Sequence, residues 1–194
     1  MTTSLLLPRS DDERAEMQAL GLLGDAGTVR PGPAHPSPST AAERVIPRTP
    51  IEAPSVLNEA YDYAKPASFS RGLRFDLGEV SMLMISGTAS VDEAGRTAHV
   101  GDFRAQLWRT YRNISALLAA EGATWHDIVR TTCYLRDIER DYRDFNEVRA
   151  TFFTWLGLSP LPASTAIQAR ICREDLLVEI EAIAIVPRDR GRRA

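Results

Sequence analysis

The run LLVEIEAIAIV, from Leu176 to Val186, sets two carboxylates two residues apart inside an otherwise apolar strand. Strand side chains alternate between faces, so Glu179 and Glu181 share one face with Leu177, Ile183 and Ile185. A carboxylate is costly to bury unless it meets water, a cation or a hydrogen-bonding ligand. Two readings stay open. Either one end of the strand is solvated, as glutamates mostly are, or its face borders a pocket or subunit interface that uses at least one of the two acids.

A chain of 194 residues is long enough for one domain with a sizeable core and an appendage. Seven of the twelve prolines fall between Pro31 and Pro54, a stretch too poor in backbone donors and apolar residues to build a core. The expected division is a Pro-rich extension over residues 1–55, a folded domain over 56–187 and a basic tail over 188–194. Within the extension, Ser10-Asp11-Asp12-Glu13 opens a run to Leu23 with Met17, Leu20 and Leu23 on one face. That pattern predicts a short amphipathic helix with an acidic start, docked on the body, docked on a neighbouring subunit, or free.

The body alternates between strand and helix patterns. Ser68–Phe75 and Val80–Ser86 read as strands joined through Gly78. Asp102 stands as the N-cap of a helix with Phe103, Leu107, Tyr111, Ile114 and Leu118 on one stripe, closed by Gly122. In the strand Ile128–Leu135, Val129, Thr131, Cys133 and Leu135 share one face. Asp141 is placed as the cap of a second helix, carrying Tyr142, Phe145, Phe152 and Leu156 to Gly157. Strands near Ser164–Ala169 and Leu176–Val186 complete a ββαβαββ order. The expectation is an α+β fold, one mixed sheet with both helices on one face. The other face would then expose Ile183 and Ile185, so a partner surface is expected to cover it.

Composition excludes more than it assigns. A net charge of −3 gives no general attraction to nucleic acid or to an anionic membrane, and the basic residues Arg188–Arg193 form only a short tail. No stretch reaches the length of a membrane span, and the start MTTSLLLPRSDDERAE is no secretory signal, so a cytosolic protein is expected. Cys133 and Cys172 suit a reducing compartment; with His35, His99 and His126 scattered, neither a metal nor a cofactor is expected. Lys65 is the only lysine, and its loop-like setting beside Pro66 argues against Schiff-base chemistry.

Several fragments, taken in order, resemble the Rid superfamily, also called YjgF or L-PSP-like proteins. They are SFSRG, ISGTAS at Ile85–Ser90, HVGDFRAQ at His99–Gln106, Asn113–Asp137, DFNEVRATFF at Asp144–Phe153, and VEIEAIAIV at the end. The resemblance runs from Phe69 to Val186, about two-thirds of the chain. It implies a chorismate-mutase-like fold, a compact homotrimer, and small-molecule sites in clefts between subunits. It also implies hydrolysis of imines or enamines to a keto acid and ammonia. In that chemistry an arginine grips the substrate carboxylate and a glutamate or a positioned water handles the proton.

Carried onto this chain, the glutamate is Glu179 and the small-residue turn is Ser86-Gly87. The arginine does not carry over: Ala163 stands in its place, Thr165 where a cysteine is common, and Phe69 where a tyrosine is usual. The substrate-binding set implied is therefore Phe69, Arg71, Ser86, Gly87, Ala163 and Thr165, with Glu179 catalytic. Arg71 shares the face of Phe69 and is the first candidate to replace the missing cation. Arg136 and Arg170 are weaker ones, and His99 is a loop residue within reach of a ligand. Three function classes follow. The first is a Rid-type enzyme on an imine, enamine or related unsaturated acid. The second is a non-catalytic metabolite-binding or protein-interaction trimer. The third, from GTAS followed by HVGD, is chorismatase-like chemistry on a cyclic unsaturated acid.

Overall fold

The computed structural model describes residues 8–24 and 48–188; the central Pro-rich stretch and residues 189–194 of the basic tail lie outside the described residues. The elements in order are α1 (Asp11–Ala19), β1 (Arg48–Pro50), β2 (Gly72–Leu77), β3 (Val80–Ala89), α2 (Phe103–Ala120), β4 (Ile128–Leu135), α3 (Ile138–Leu156), β5 (Ala163–Gln168) and β6 (Val178–Pro187). The strands form one mixed sheet in the order β1-β2-β3-β6-β4-β5, with only β4 and β5 parallel. β4, α3 and β5 make a βαβ crossover, and the other pairs are antiparallel. No helix among the described residues is long and apolar enough to cross a membrane.

The α+β architecture expected from the pattern is what forms, with α2 and α3 together on one face. Val178, Ile180, Ala182 and Ala184 of β6 point toward them, beside Leu83 and Ile85 of β3 and Cys133 and Leu135 of β4. Between the helices lies a ring cluster: Tyr111 stacks on Phe152 at 4.7 Å, while Trp108 and Trp125 meet Phe152 edge-on. The opposite sheet face is open. It carries Glu179, Glu181, Ile183 and Ile185 of β6 in alternation, and Met84 and Ile185 are 45% and 41% exposed there.

Three local expectations are corrected. The cap of α3 is Asp137, whose side chain accepts the Arg140 amide; Asp141 lies in the first turn, its amide already bonded to the Asp137 carbonyl. The earlier acid wins because only a residue outside the helix can offer its side chain to the unpaired first-turn amides. Val129 leaves the buried face: the register against β6 shifts between Ile128 and Arg130, and the bulge turns Val129 outward. Residues 48–53, assigned by composition to the extension, join the body. β1 pairs with β2 at the sheet edge, where Pro50 is tolerated, and Ile51 is fully buried.

Helix α1 forms as its sequence predicts, capped by Ser10, and lies on the outer side of α2. Met17, Leu22 and Leu23 reach the core, but the seam is mostly ionic. Glu13 accepts from the Arg104 guanidinium at 3.0–3.1 Å and from Trp108 Nε1 at 3.0 Å. Glu16 takes His99 Nε2 at 2.9 Å and faces Arg109 and Arg112 at 3.7 and 3.3 Å. The Ser10 hydroxyl donates to Asp102, the N-cap of α2, so the starts of the two helices are tied together. Arg9 reaches Asp144 and Glu147 on α3.

Candidate functional site

A cavity of about 480 Å³ opens at the end of the uncovered face. Its walls are the segment leading into β2 (Tyr63, Lys65, Phe69, Arg71), the Ser86-Gly87 stretch of β3, the loop joining β5 to β6 (Cys172, Arg173), and Glu179 with Glu181 on β6. Local irregularity creates the space. The β3–β6 register breaks between Ile85 and Thr88, so Gly87 sits at a bulge facing Glu179. A Cβ built on Gly87 would stand 2.0 Å from Glu179 Oε1.

Glu179 is half-buried and makes no hydrogen bond among the described residues. Burial lifts its pKa above the usual carboxylate range and the neighbouring Glu181 adds to the lift, while the charges of Arg71 and Arg173 oppose it. Desolvation wins, which leaves a carboxyl that holds its proton to higher pH than a surface glutamate. Glu181 is engaged by the Tyr134 hydroxyl at 3.0 Å and belongs to the rim.

Arg71 is buried at 5% exposure, with its guanidinium carbon 5.0 Å from the Tyr63 ring centroid and 5.3 Å from that of Phe69. Two aromatic faces at those distances hold a desolvated cation favourably. Its Nε donates to the Asn58 carbonyl at 3.1 Å, and its backbone amide donates to the Glu59 carboxylate. Ser86 supports the same residue: its amide donates to the Arg71 carbonyl at 3.0 Å, and its hydroxyl to the Ser70 carbonyl at 2.7 Å.

Arg173 forms the opposite wall. It donates to the Gly95 carbonyl, and Gly95, at φ +75°, lies directly under the Tyr63 ring, leaving no room for a side chain. The Tyr63 hydroxyl is buried beside Arg71 but outside hydrogen-bond geometry. Burial raises its pKa, against the pull of the Arg71 and Arg173 charges. The loop bearing Arg173 is braced from below. Arg136 donates to the carbonyls of Ile171, Arg173 and Leu176, and Gln106 holds Asp175 O and Leu177 N at 2.8 Å each.

Of the residues expected from sequence, Phe69, Arg71, Ser86, Gly87 and Glu179 converge on this cavity. Ala163 and Thr165 do not line it. They stand on β5 at the far edge, opposite Arg130 and Thr132 of β4, with the Thr165 hydroxyl accepting from Arg130 at 3.1 Å. Arg136 is a structural clamp, and Arg170 is an exposed surface residue near Glu174. His99 faces α1, away from the cavity. Sequence reasoning missed Tyr63 and Arg173 and set Lys65 and Cys172 aside. The available signal for Arg173 was its place in the loop that delivers the chain to Glu179, six residues on. A second hollow of about 500 Å³ adjoins the first along Phe69, Ser86 and Glu181, lined by Met84, Arg130 and Ile183 of the open face. No group of His, Cys, Asp or Glu side chains among the described residues is arranged to hold a metal.

A family model described as endoribonuclease L-PSP matches residues 63–186. A RutC family protein of Pyrococcus horikoshii is 36% identical over 104 residues, covering 54% of this chain and 79% of the relative. The 2-iminobutanoate/2-iminopropanoate deaminase of Salmonella typhimurium is 34% identical over 111 residues, 57% of this chain and 82% of that one. Among solved structures, the YjgF gene product of E. coli superposes with a TM-score of 0.54 at 29% identity, over 71% of this chain and 98% of its own.

Proposed function

Given that the chain belongs to the endoribonuclease L-PSP family, the Rid superfamily, we propose that it hydrolyses a small imine or enamine acid in the cavity around Glu179. The observation that carries this reading is a desolvated, uncommitted carboxyl facing two guanidinium groups across a cleft of small-molecule size.

Arg71 is assigned the substrate carboxylate, since its Nε is bonded to the Asn58 carbonyl, which leaves its two Nη groups for a ligand, and its guanidinium lies over the Tyr63 and Phe69 rings. An enamine must first gain a proton at carbon to become the protonated imine (iminium), and a protonated Glu179 supplies it. The resulting carboxylate takes a proton from water as the water oxygen bonds to the imine carbon. It then returns that proton to nitrogen; the hydroxyl oxygen forms the C=O bond as the C–N bond breaks, its proton passes to the Glu179 carboxylate, and ammonia and a keto acid leave with Glu179 protonated again. Burial and Glu181 raise the Glu179 pKa, which favours the protonated form that the first half of this exchange needs more than a surface carboxylate would.

The open face with Met84, Ile183 and Ile185 supports the reading that copies of the chain pack there as a homotrimer. Ala163 and Thr165 would then be contributed to the cleft from a neighbouring copy rather than from the same one. Ala163 brings only a methyl group to such a cleft, and this favours, as a second reading, a binding protein without turnover. The two separate on one assay. Freshly generated 2-aminoacrylate is incubated with the protein and ammonia release is followed. Acceleration over buffer that disappears in Glu179→Ala supports hydrolysis; an uncatalysed rate, or one that survives the substitution, overturns it.

A further inference from the structure

The cavity holds two arginines where one carboxylate needs only one. Arg71 stands on the β2 side, over the Tyr63 ring, and Arg173 stands on the β5–β6 loop, bonded to Gly95, which packs against that ring. Both residues line the same cavity, one from each of two segments that border it. Each is fixed from behind: Arg71 by Asn58, Arg173 by Gly95 and by the Arg136 clamp on its loop. A guanidinium carries five N–H donors, and the bonds named here use one on each residue.

Resting on the hydrolase reading above, we propose that the substrate is a dianion, a short unsaturated dicarboxylate whose two acid groups are held separately by Arg71 and Arg173. The charge balance of the walls points the same way. Lys65, Arg71 and Arg173 supply three positive charges, against Glu179 and Glu181. When Glu179 carries the proton it must donate, three cations face the single charge of Glu181, and a dicarboxylate restores neutrality. A monocarboxylate leaves one positive charge of the walls uncompensated, with Arg71 buried, Arg173 half-buried and Lys65 exposed. Glu59 sits behind Arg71, its carboxylate bonded to the Arg71 backbone amide and outside the cavity walls. Arg173 is thus a specificity residue, and it replaces on the same protomer part of the anion-binding capacity that Ala163 lacks.

Binding of unreactive acids tests this without requiring turnover. Succinate and butyrate, equal in chain length and differing by one carboxylate, are titrated into the full-length protein by calorimetry at fixed ionic strength. Succinate is expected to bind at least tenfold more tightly than butyrate. Arg173→Gln, which keeps a donor for Gly95, is expected to reduce succinate to the butyrate level while leaving butyrate unchanged, and Arg173→Lys to restore part of the difference. Equal affinities in the wild type, or an Arg173→Gln variant that weakens both acids alike, overturn the proposal. Succinate selectivity with no ammonia release from any imine would retain the dianion site and remove the hydrolase reading; turnover of 2-aminoacrylate with no selectivity would do the reverse.

Discussion

The α-carbon of Gly87 and the carboxylate of Glu179 occupy adjoining space, so close that a methyl group at 87 would fall 2.0 Å from Glu179 Oε1. The glycine is required there by the close approach, since its φ is not in the left-handed region. Gly87→Ala is therefore expected to swing the carboxylate aside. The far end of a flexible side chain moves at the cost of about 1 kcal/mol of rotamer strain. Misplacement of a reacting group by an ångström can cost on the order of 100-fold in rate. Small loss of melting temperature with large loss of imine hydrolysis is the expected pair; unchanged activity would show that Glu179 is not the reacting group.

Neighbouring charges give Glu179 a testable direction of titration. Burial raises its pKa first and Glu181 second, while Arg71 and Arg173 lower it. Glu181→Gln removes a like charge, so the limb of the pH–rate profile belonging to Glu179 should move to lower pH. Arg173→Gln removes an opposing cation and should move it higher. Profiles of kcat/KM for the three proteins check both signs. Shifts in the same direction for the two variants would contradict the assignment.

Docking of α1 should depend on pH through His99 and Glu16. The histidine pKa is raised above 6.5 by its bond to Glu16, so its contribution is complete below 6.5 and lost as pH climbs through the folded value. Burial of Glu16 opposes ionisation, but His99, Arg109 and Arg112 prevail and lower its pKa below 4.5. That contribution is complete above 4.5 and lost as pH falls through the folded value. The arm is held best between those limits. Hydrogen-exchange protection of residues 11–19, corrected for intrinsic rates, should be higher inside the window than in alkaline buffer, and His99→Gln should remove the alkaline loss.

Phe152 is almost fully buried and touches the rings of Trp108, Tyr111, Trp125, Phe153 and Trp155. Phe152→Ala is expected to destabilise the fold by about 3–5 kcal/mol, because the surrounding rings are too rigid to close the gap. Urea unfolding of the variant measures this. A loss below about 1 kcal/mol would mean that the cluster collapses around the cavity.

On the open face, Ile185→Glu puts a charge where the isolated protomer already meets solvent. Its stability as a monomer should barely change, within about 0.5 kcal/mol for an exposed site. Light scattering should instead report a shift from trimer toward monomer. A wild-type protein that is itself monomeric would remove the intersubunit part of the proposed site.

Much of this fold is visible in the residue pattern because its signals are local. Asp102, Gly122 and Gly157 mark helix ends within a turn of where they occur, and the alternation through β6 assigns Glu179 and Glu181 to one face without reference to any other strand. The signals that fail depend on distant partners. Val129 breaks its alternation because β4 must shift register against β6. β1 is hidden because three residues ending in proline become a strand only when an edge is offered to them. The site divides along the same line. Glu179 and Gly87 are named by the family resemblance of their own segments, whereas Arg173 and Tyr63 both meet Gly95, some 30 residues from one and nearly 80 from the other.

The seam beneath α1 has a consequence for the protein's outward character. Arg104, Arg109 and Arg112 follow one another along α2 and face the carboxylates of Glu13 and Glu16, while Asp144 and Glu147 share Arg104 and Glu93 shares Arg109. With residues 8–24 in place, that side of the domain is an acidic helix laid over a basic one. A protein cut ahead of Arg48 would keep the sheet and the cavity but turn a cationic stripe to solvent, and would be retained by an anionic resin that the whole chain passes. The arm thus masks positive charge on α2, at a place separate from the cleft.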